Sequence, residues 1–323
     1  MSASASPGVR DSASESPACP PRASHIPFFE RLRGAARPQW IRAIAGNCVA
    51  ILLHTSALGR IRLLLTYLRL AFKGKFLVEM AGVRITKERI FSHTIYFGTY
   101  KALLILFEEI FITGIYHFDS ETASPQILDA GANIGMAVAY FKTIYPKCRI
   151  TAFEPDPANF EVLRRNVECN RWSGVELNNV ALYDSDGVAP FFDYNDAPGA
   201  LSNGLWQPTE AGPARKVINV RTALLSRYIA GPVEMLKMDI EGSEHRVMEE
   251  LARNGALRAI KRITMEYHHH VRPEENRLAG MLRLLEDAGF GYHIRAPLAL
   301  PFPQEAAQNF MLRAYQARPS TGA

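Results

Sequence analysis

The chain has 323 residues, 48% of them hydrophobic and 21% charged, which is enough for one complete globular domain and a substantial extension. It contains four cysteines and no Cys-x-x-Cys pair, which argues against a disulfide framework and a zinc centre and fits a reducing, cytoplasmic environment. The net charge of +5 is unevenly distributed, because residues 22–76 hold ten Lys or Arg and one acidic residue, Glu30. Such a positive block predicts an anionic partner, either lipid headgroups or nucleic acid.

Residues 1–118 differ in character from the rest of the chain. Ser, Ala and Pro dominate residues 1–25, so we expect a disordered tail with no signal-peptide core. Residues 26–118 are predicted to form a basic helical extension. Within it, residues 61–72 interleave leucines with arginines, a pattern that leaves three interpretations open: a helix lying on a membrane, a helix packed on the main domain, and a membrane span. The expected partner of residues 22–76 is an anionic membrane surface, which would place the protein in the cytoplasm, peripheral at a membrane.

Two further elements precede the main domain. Alternating polarity predicts a strand at residues 78–90. The spacing of Leu103, Phe107 and Phe111 predicts a helix at residues 101–111, with Glu108 and Glu109 outside its apolar stripe.

From residue 119 onward, strands and helices alternate. This pattern predicts an α/β domain of residues 119–323 with a doubly wound, mostly parallel sheet. Residues 182–221 are predicted to be a hairpin insertion around a mobile loop from Asp193 to Trp206, where Asn, Gly and Pro are frequent.

The most informative segment runs from Ile127 to Pro155. A short apolar run ends at Gly131-Ala132-Asn133-Ile134-Gly135, a helical pattern follows, and a second apolar run ends at Glu154. The glycines let the main chain turn tightly and approach a ligand. Glu154 lies 23 residues after Gly131, where a carboxylate can accept hydrogen bonds from both ribose hydroxyls. The segment therefore predicts a bound nucleoside with free 2′ and 3′ hydroxyls.

The loop lacks the G-x-G-x-x-G pattern of a dinucleotide site. With Asp129 two residues before Gly131, it resembles instead the D-x-G-x-N-x-G loop of class I S-adenosylmethionine (SAM) methyltransferases. Residues 153–157, 179–182 and 236–244 resemble the signature of the FkbM family of SAM-dependent methyltransferases, and Lys-Met-Asp-Ile-Glu-Gly-Ser-Glu at 237–244 is the most distinctive block. The resemblance covers residues 110–267 and implies a Rossmann-like core. It also implies O-methylation of a hydroxyl on a sugar, glycolipid or polyketide-like acceptor.

The resemblance implies seven residues that bind the cofactor SAM, all following the first three strands of the sheet: Asp129, Gly131, Asn133, Gly135, Glu154, Asn179 and Ala181. The loop residues would line the methionine portion, and the glutamate would hold the ribose. The last two would border the adenine.

The predicted catalytic residues are Asp239, Glu241 and His268, which follow two later strands at the same sheet edge. Methyl transfer depends largely on positioning, and a base at the acceptor hydroxyl adds about 10²–10⁴-fold. His268 is one candidate base, since imidazole titrates near neutral pH, although residues 268–270 also fit a solvated strand end. Glu266 could orient His268 or join Asp239 and Glu241 around a divalent ion, but no metal is assigned.

Other activities fit this sequence less well. Methylation of base amines in nucleic acid is typical of an Asn/Asp-Pro-Pro-aromatic block, which residues 237–242 do not contain. We therefore expect a small-molecule or glycan acceptor and no nucleic-acid partner. Two functions remain open: a SAM-dependent O-methyltransferase, and a catalytically silent methyltransferase-like domain that acts as a membrane-associated adaptor.

Overall fold

The computed structural model describes residues 38–53, 58–193, 203–205, 216–269, 277–296 and 308–316. The tail predicted at residues 1–25 and most of the loop predicted from Asp193 to Trp206 lie outside these ranges. Within the described ranges, no helix is both long enough and apolar enough to cross a membrane.

The N-terminal region is mainly helical. Its elements, in chain order, are α1 (Pro38–Leu53), α2 (Arg60–Phe72), the π-helix π1 (Lys73–Met80), β1 (Lys87–Ile90), β2 (His93–Tyr96), α3 (Tyr100–Phe107) and the π-helix π2 (Glu108–Ile112). Thr99 caps α3, because its hydroxyl accepts the backbone N–H of Ala102 at 3.2 Å.

The prediction of a strand at residues 78–90 is wrong for the first part of that range. Helical structure continues to Met80, where Lys75 and Glu79 form an ion pair one turn apart, and pairing begins only at Lys87.

The alternating pattern after residue 119 is confirmed. The elements are β3 (Gln126–Ala130), α4 (Met136–Ile144), β4 (Arg149–Phe153), α5 (Pro157–Cys169), β5 (Val175–Asn178), β6 (Ala181–Leu182), β7 (Gly187–Asp193), β8 (Lys216–Ala223), a 3-10 helix (Leu225–Tyr228), β9 (Met235–Met238), α6 (Glu244–Arg253), a second 3-10 helix (Ala256–Ala259), β10 (Arg262–His269), α7 (Leu278–Asp287), β11 (Phe290–Arg295) and β12 (Gln308–Gln316).

Seven strands form one sheet in the order β11-β12-β10-β9-β3-β4-β5. Strands β10, β9, β3, β4 and β5 are parallel, whereas β12 runs antiparallel to both β10 and β11. The chain moves outward from β3 to β5 and then crosses to β9 on the other side of β3. This places the topological switch point between β3 and β9, where ligands of open α/β sheets bind. The arrangement is a Rossmann-like, mostly parallel fold with an N-terminal helical region.

Alternate residues of the strands supply two hydrophobic cores. Ile127 faces a cluster with α4, α5 and the N-terminal helices, whereas Leu128 faces a cluster with α6 and α7. The predicted stripe of α3 and π2 is buried in the first cluster, beside Phe141 of α4. The predicted domain boundary between residues 118 and 119 stays a prediction. The first hydrophobic cluster contains residues from both sides of that boundary.

The predicted hairpin insertion is confirmed. Strands β7 and β8 pair antiparallel from Gly187 with Thr222 to Asp193 with Lys216, and β6 pairs parallel to β8. These three strands form a small separate sheet.

Candidate active site

The glycine loop after β3 is fixed by two close backbone contacts. Gly131 has a φ of 82°, and a Cβ there would lie 1.8 Å from the backbone oxygen of Asp239, so only glycine fits between β3 and β9. Gly135 has a φ of 88°, and a Cβ there would lie 2.7 Å from Cδ1 of Leu163. The N–H of Gly131 donates to the carbonyl oxygen of Phe153 at 3.0 Å. The loop is therefore attached to both strands that flank β3.

Glu154 lies at the end of β4 and is oriented by the main chain. Its Oε2 accepts the backbone N–H of Asn133 at 2.7 Å, and its Oε1 accepts the backbone N–H of Asp156 at 2.9 Å. Burial raises the pKa of Glu154 to about 7, and the two backbone donors oppose this shift. Each carboxylate oxygen has two lone pairs, so each can accept one further hydrogen bond.

The predicted residues after β5 lie at the same sheet edge. Nδ2 of Asn179 donates to the carbonyl oxygens of Glu154 at 2.8 Å and Pro155 at 3.1 Å. Ala181 is buried in β6. Hydrogen bonds therefore connect Asn133, Glu154 and Asn179 in one continuous series.

Asp129 is completely buried, at 0% exposure. It lies opposite Lys237 in the register of β3 and β9, and its Oδ1 is 3.3 Å from Nζ of Lys237. Nζ also donates to the carbonyl oxygens of Ala130 and Gly131. A buried ammonium and a buried carboxylate need such partners. Lys237 thus links the carboxylate of Asp129 to the backbone of the glycine loop. The sequence alone predicts no role for Lys237.

The three predicted catalytic residues meet at the ends of β9 and β10. One oxygen or nitrogen atom from each of Asp239, Glu241 and His268 lies within 4.8 Å of the others. Nε2 of His268 is 3.3 Å from Oε2 of Glu241, and Nδ1 is 2.9 Å from Oε1 of Glu244. Burial lowers the pKa of His268, but the carboxylates of Glu244 and Glu241 outweigh it and raise the pKa well above its ordinary value. The protonated form of His268 is therefore favoured, and its ring lies between the carboxyl groups of Glu241 and Glu244.

Glu241 has an unusual backbone and an unusual environment. Its φ of 54° lies in the left-handed region, which residues with a Cβ rarely adopt. Burial raises the pKa of Glu241 well above its ordinary value; His268 opposes the shift and Asp239 adds to it.

Helix α6 begins without a capping side chain from the residue before it. The buried hydroxyl of Ser243 has no hydrogen-bond partner among the described residues. Instead, the carboxylate of Glu244 accepts the backbone N–H groups of Ile240 at 3.2 Å and Gly242 at 3.1 Å. Glu244 thereby fixes the turn that carries Glu241.

Glu244 also takes the orienting role that the sequence suggested for Glu266. The Oε1 atom of Glu266 accepts Nδ2 of Asn309 from β12 at 3.1 Å, whereas His268 is bonded to Glu244. The reason is that Glu266 and His268 share a strand face without being neighbours, and α6 brings Glu244 directly over the imidazole.

Two carboxylates and an imidazole at this spacing could also hold a divalent cation. The imidazole would first lose its Nε2 proton, because a metal binds the neutral ring. Asp239, Glu241 and His268 would then be the ligands.

The N-terminal region adds two residues that sequence reasoning did not place in the site. Burial raises the pKa of Glu109 in π2 to about 8, and the nearby charges of Glu266 and Asp239 add to the shift. The ring centroid of Tyr116 is 5.6 Å from Nζ of Lys237. The signal for Glu109 was its place outside the apolar stripe of its helix. Tyr116 had no comparable signal.

Comparisons with known proteins agree with this geometry. A family model described as a methyltransferase FkbM domain matches residues 129–292, just over half of the chain. Methyltransferase 1 of Beauveria bassiana is 32% identical over 162 residues, which are 45% of this chain and 65% of that protein. The 31-O-demethyl-FK506 methyltransferase of Streptomyces tacrolimicus is 31% identical over 46% of this chain and 59% of that protein. The chain therefore spans less than two thirds of the length of either relative.

Among solved structures, an FkbM methyltransferase from Methylobacillus flagellatus is similar, with 16% identity and a TM-score of 0.39. The likeness covers 67% of this chain and 54% of that one.

Proposed function

Because the chain belongs to the FkbM methyltransferase family, we propose that it transfers a methyl group from SAM to a hydroxyl oxygen of a small-molecule or glycan acceptor. The position of Asp239 carries this proposal. Its backbone N–H donates to the carbonyl oxygen of Ala130 at 3.0 Å beside the glycine loop, and its carboxylate joins Glu241 and His268. A nucleoside-binding loop therefore adjoins a proton-accepting cluster, as transfer between two bound substrates requires.

The residues around the loop fit SAM. Glu154 presents two oriented oxygens that would accept the ribose hydroxyls. When bound, SAM would supply a methyl group on a positively charged sulfur. Burial raises the pKa values of Glu241 and Glu266, and the charge of Asp239 adds to both shifts, so a nearby cation would relieve that repulsion. The charge of the site thus favours a cationic cofactor.

The pair of Glu241 and His268 is the proposed proton acceptor for the acceptor hydroxyl. A buried carboxylate with a raised pKa binds a proton more readily at neutral pH than an exposed one. His268 would hold this carboxylate in place, since Glu244 fixes the imidazole from the other side. Asp239 would bind either the acceptor or the methionine ammonium.

The acceptor side favours a ligand with several hydroxyls. Glu109, Glu241 and Glu266 offer carboxyl groups that can form hydrogen bonds with hydroxyls, and Tyr116 adds an aromatic ring. The name of the Streptomyces relative, a 31-O-demethyl-FK506 methyltransferase, supports oxygen as the atom that is methylated.

Calorimetric titration with SAM and with S-adenosylhomocysteine tests whether the chain binds the cofactor. Incubation of lipid and glycan extracts with methyl-labelled SAM tests whether it transfers the methyl group. We expect both nucleosides to bind and a labelled product to form. The label should resist mild alkali, because a methyl ether is stable where a methyl ester hydrolyses. Label released as methanol would overturn the hydroxyl acceptor, and a folded chain that binds neither nucleoside would overturn the proposal.

The matched controls are two glutamine variants. Labelling should vanish with Glu241→Gln and persist with Glu161→Gln, which changes an exposed glutamate of α5 that pairs with Arg164. SAM binding without transfer to any extract would favour the silent adaptor instead.

A further inference from the structure

Exposed apolar side chains are concentrated in one part of the described structure. Of its sixteen exposed large hydrophobic residues, twelve lie between Ile41 and Val83. Single exposed hydrophobic residues are ordinary, but a continuous apolar patch indicates a contact surface. This part of the chain precedes the methyltransferase match, which begins at residue 129.

Helix α2 carries two apolar stripes. Leu63, Tyr67 and Leu70 are buried against the core. At about 100° per residue, a second stripe lies on the opposite side of the helix and is exposed. It consists of Ile61, Leu65, Leu68 and Phe72. A helix packed on a domain needs only one such stripe, so the second requires another partner.

Helix α1 extends the exposed stripe of α2. The ring of Phe72 is 4.7 Å from that of Phe76 in π1, which in turn lies 6.2 Å from the ring of Trp40 at the start of α1. Ile41 and Leu53 of α1 are exposed. We call the exposed apolar residues of α1, α2 and π1 the helical apolar surface. Its aliphatic and aromatic composition is typical of helices that lie at a lipid–water interface.

The charge around the helical apolar surface is positive. Residues 38–90 contain nine Lys or Arg and two acidic residues, Glu79 and Glu88. Both glutamates already form ion pairs with cations of α2 and π1. Arg42 and Arg60 are exposed on the two helices. An apolar surface surrounded by excess cations is complementary to a membrane with anionic headgroups.

We propose that the helical apolar surface docks onto an anionic lipid surface, with its leucines and aromatic rings among the acyl chains and its arginines at the headgroups. The proposal goes beyond methyl transfer and does not depend on it, because the surface lies outside the matched methyltransferase region.

Two other occupants fit the charge poorly. A second copy of the chain would bring the same cations face to face, which like-charge repulsion disfavours. Residues 1–37 carry five arginines and three acidic residues, so they would add positive charge to the surface rather than neutralise it.

The test is flotation of the full chain with vesicles. We expect it to bind vesicles of phosphatidylcholine mixed with phosphatidylglycerol, to leave them as salt is raised, and to ignore phosphatidylcholine alone at the same lipid concentration. A folded chain that ignores the anionic vesicles at low salt would overturn the proposal.

Substitutions separate the apolar and the charged contributions. Leu65→Gln with Phe72→Gln should weaken binding more than about tenfold, because two inserted side chains are lost. Arg42→Gln with Arg60→Gln should weaken it by about fivefold for each arginine. The matched control is Val188→Gln with Val217→Gln, which removes two exposed hydrophobic residues from the β7–β8 hairpin and should leave binding unchanged.

Sedimentation without lipid distinguishes self-association. A dimer that Leu65→Gln with Phe72→Gln dissociates would assign the surface to a second copy and overturn the proposal. Equal loss of vesicle binding in the Val188 and Val217 control would overturn it too, because adsorption would then be general.

Discussion

The proposed cofactor half and the proposed acceptor half of the site are built in different ways. Main-chain hydrogen bonds define the cofactor half, in which the glycine loop and Glu154 lie within residues 131–154. The acceptor half consists of side chains from distant segments, since Glu109, Glu241, His268 and Asn309 belong to four separate elements. The first half is therefore a local backbone structure, whereas the second depends on tertiary packing.

The largest effect is expected at Glu241. Glu241→Gln keeps the size of the side chain but removes its proton acceptor, so we expect the rate of methyl transfer to fall by about 10²–10⁴-fold. The dissociation constant for SAM should change little if the two halves are separate. Steady-state kinetics with calorimetry measure both, and a parallel loss of SAM affinity would show that the halves are one unit.

Lys237 tests how the cofactor loop is supported. Lys237→Met leaves the carboxylate of Asp129 buried without its partner, which should lower the free energy of unfolding by about 3–5 kcal/mol. Adding Asp129→Leu removes the buried charge, so the double variant should recover much of the loss. Urea unfolding measures all three proteins. A single variant as stable as the parent would mean that Asp129 does not need this partner.

Glu154 tests the cofactor half directly. Glu154→Ala removes charged hydrogen bonds to the ribose and should weaken SAM binding by about 1.5–3 kcal/mol. Glu161→Ala is the control, because its side chain is exposed on α5. Unchanged SAM affinity in a folded Glu154→Ala protein, measured by calorimetry, would contradict the ribose assignment.

The smallest effect is a pH dependence at Glu109. Its pKa is raised from 4.5 to about 8, so between these values the folded state keeps a proton that the unfolded chain releases. The contribution of Glu109 to stability is therefore present below 4.5 and is lost as pH rises through about 8. Glu109→Gln should remove this loss, so its melting temperature relative to the parent should rise with pH. A difference that stays constant with pH would place Glu109 away from the acidic cluster.

The geometry of the proposed cofactor half could be predicted from the sequence because its determinants are local, whereas its role stays a prediction. Gly131, Gly135 and Glu154 follow strands at fixed spacing, and the structure connects them as expected. The partner of His268 could not be predicted in this way. Glu244 reaches the imidazole only because α6 packs over β10, and no spacing rule connects the two residues.

The sequence predictions and the structure differ at two further places, residues 78–80 and Lys237. Residues 78–80 alternate in polarity as a strand would, but they continue the helical structure of π1, which contains no buried residue, so three alternating residues do not decide the conformation. Lys237 is the one charged residue of the buried strand Met235–Met238, and a charged side chain in such a strand indicates a buried partner. That signal was present in the sequence, although it does not identify Asp129.

The position of β12 between β10 and β11 has a consequence for synthesis on the ribosome. This strand supplies Asn309 to Glu266 and Arg313 to the carbonyl oxygens of Gly114 and Ile115. At about 5–20 residues per second, the 44 residues from His269, the end of β10, to Arg313 take roughly 2–9 s to translate. During that interval the glycine loop can form while β10 still presents an unpaired edge. We expect the nascent chain to be most prone to aggregation in this window.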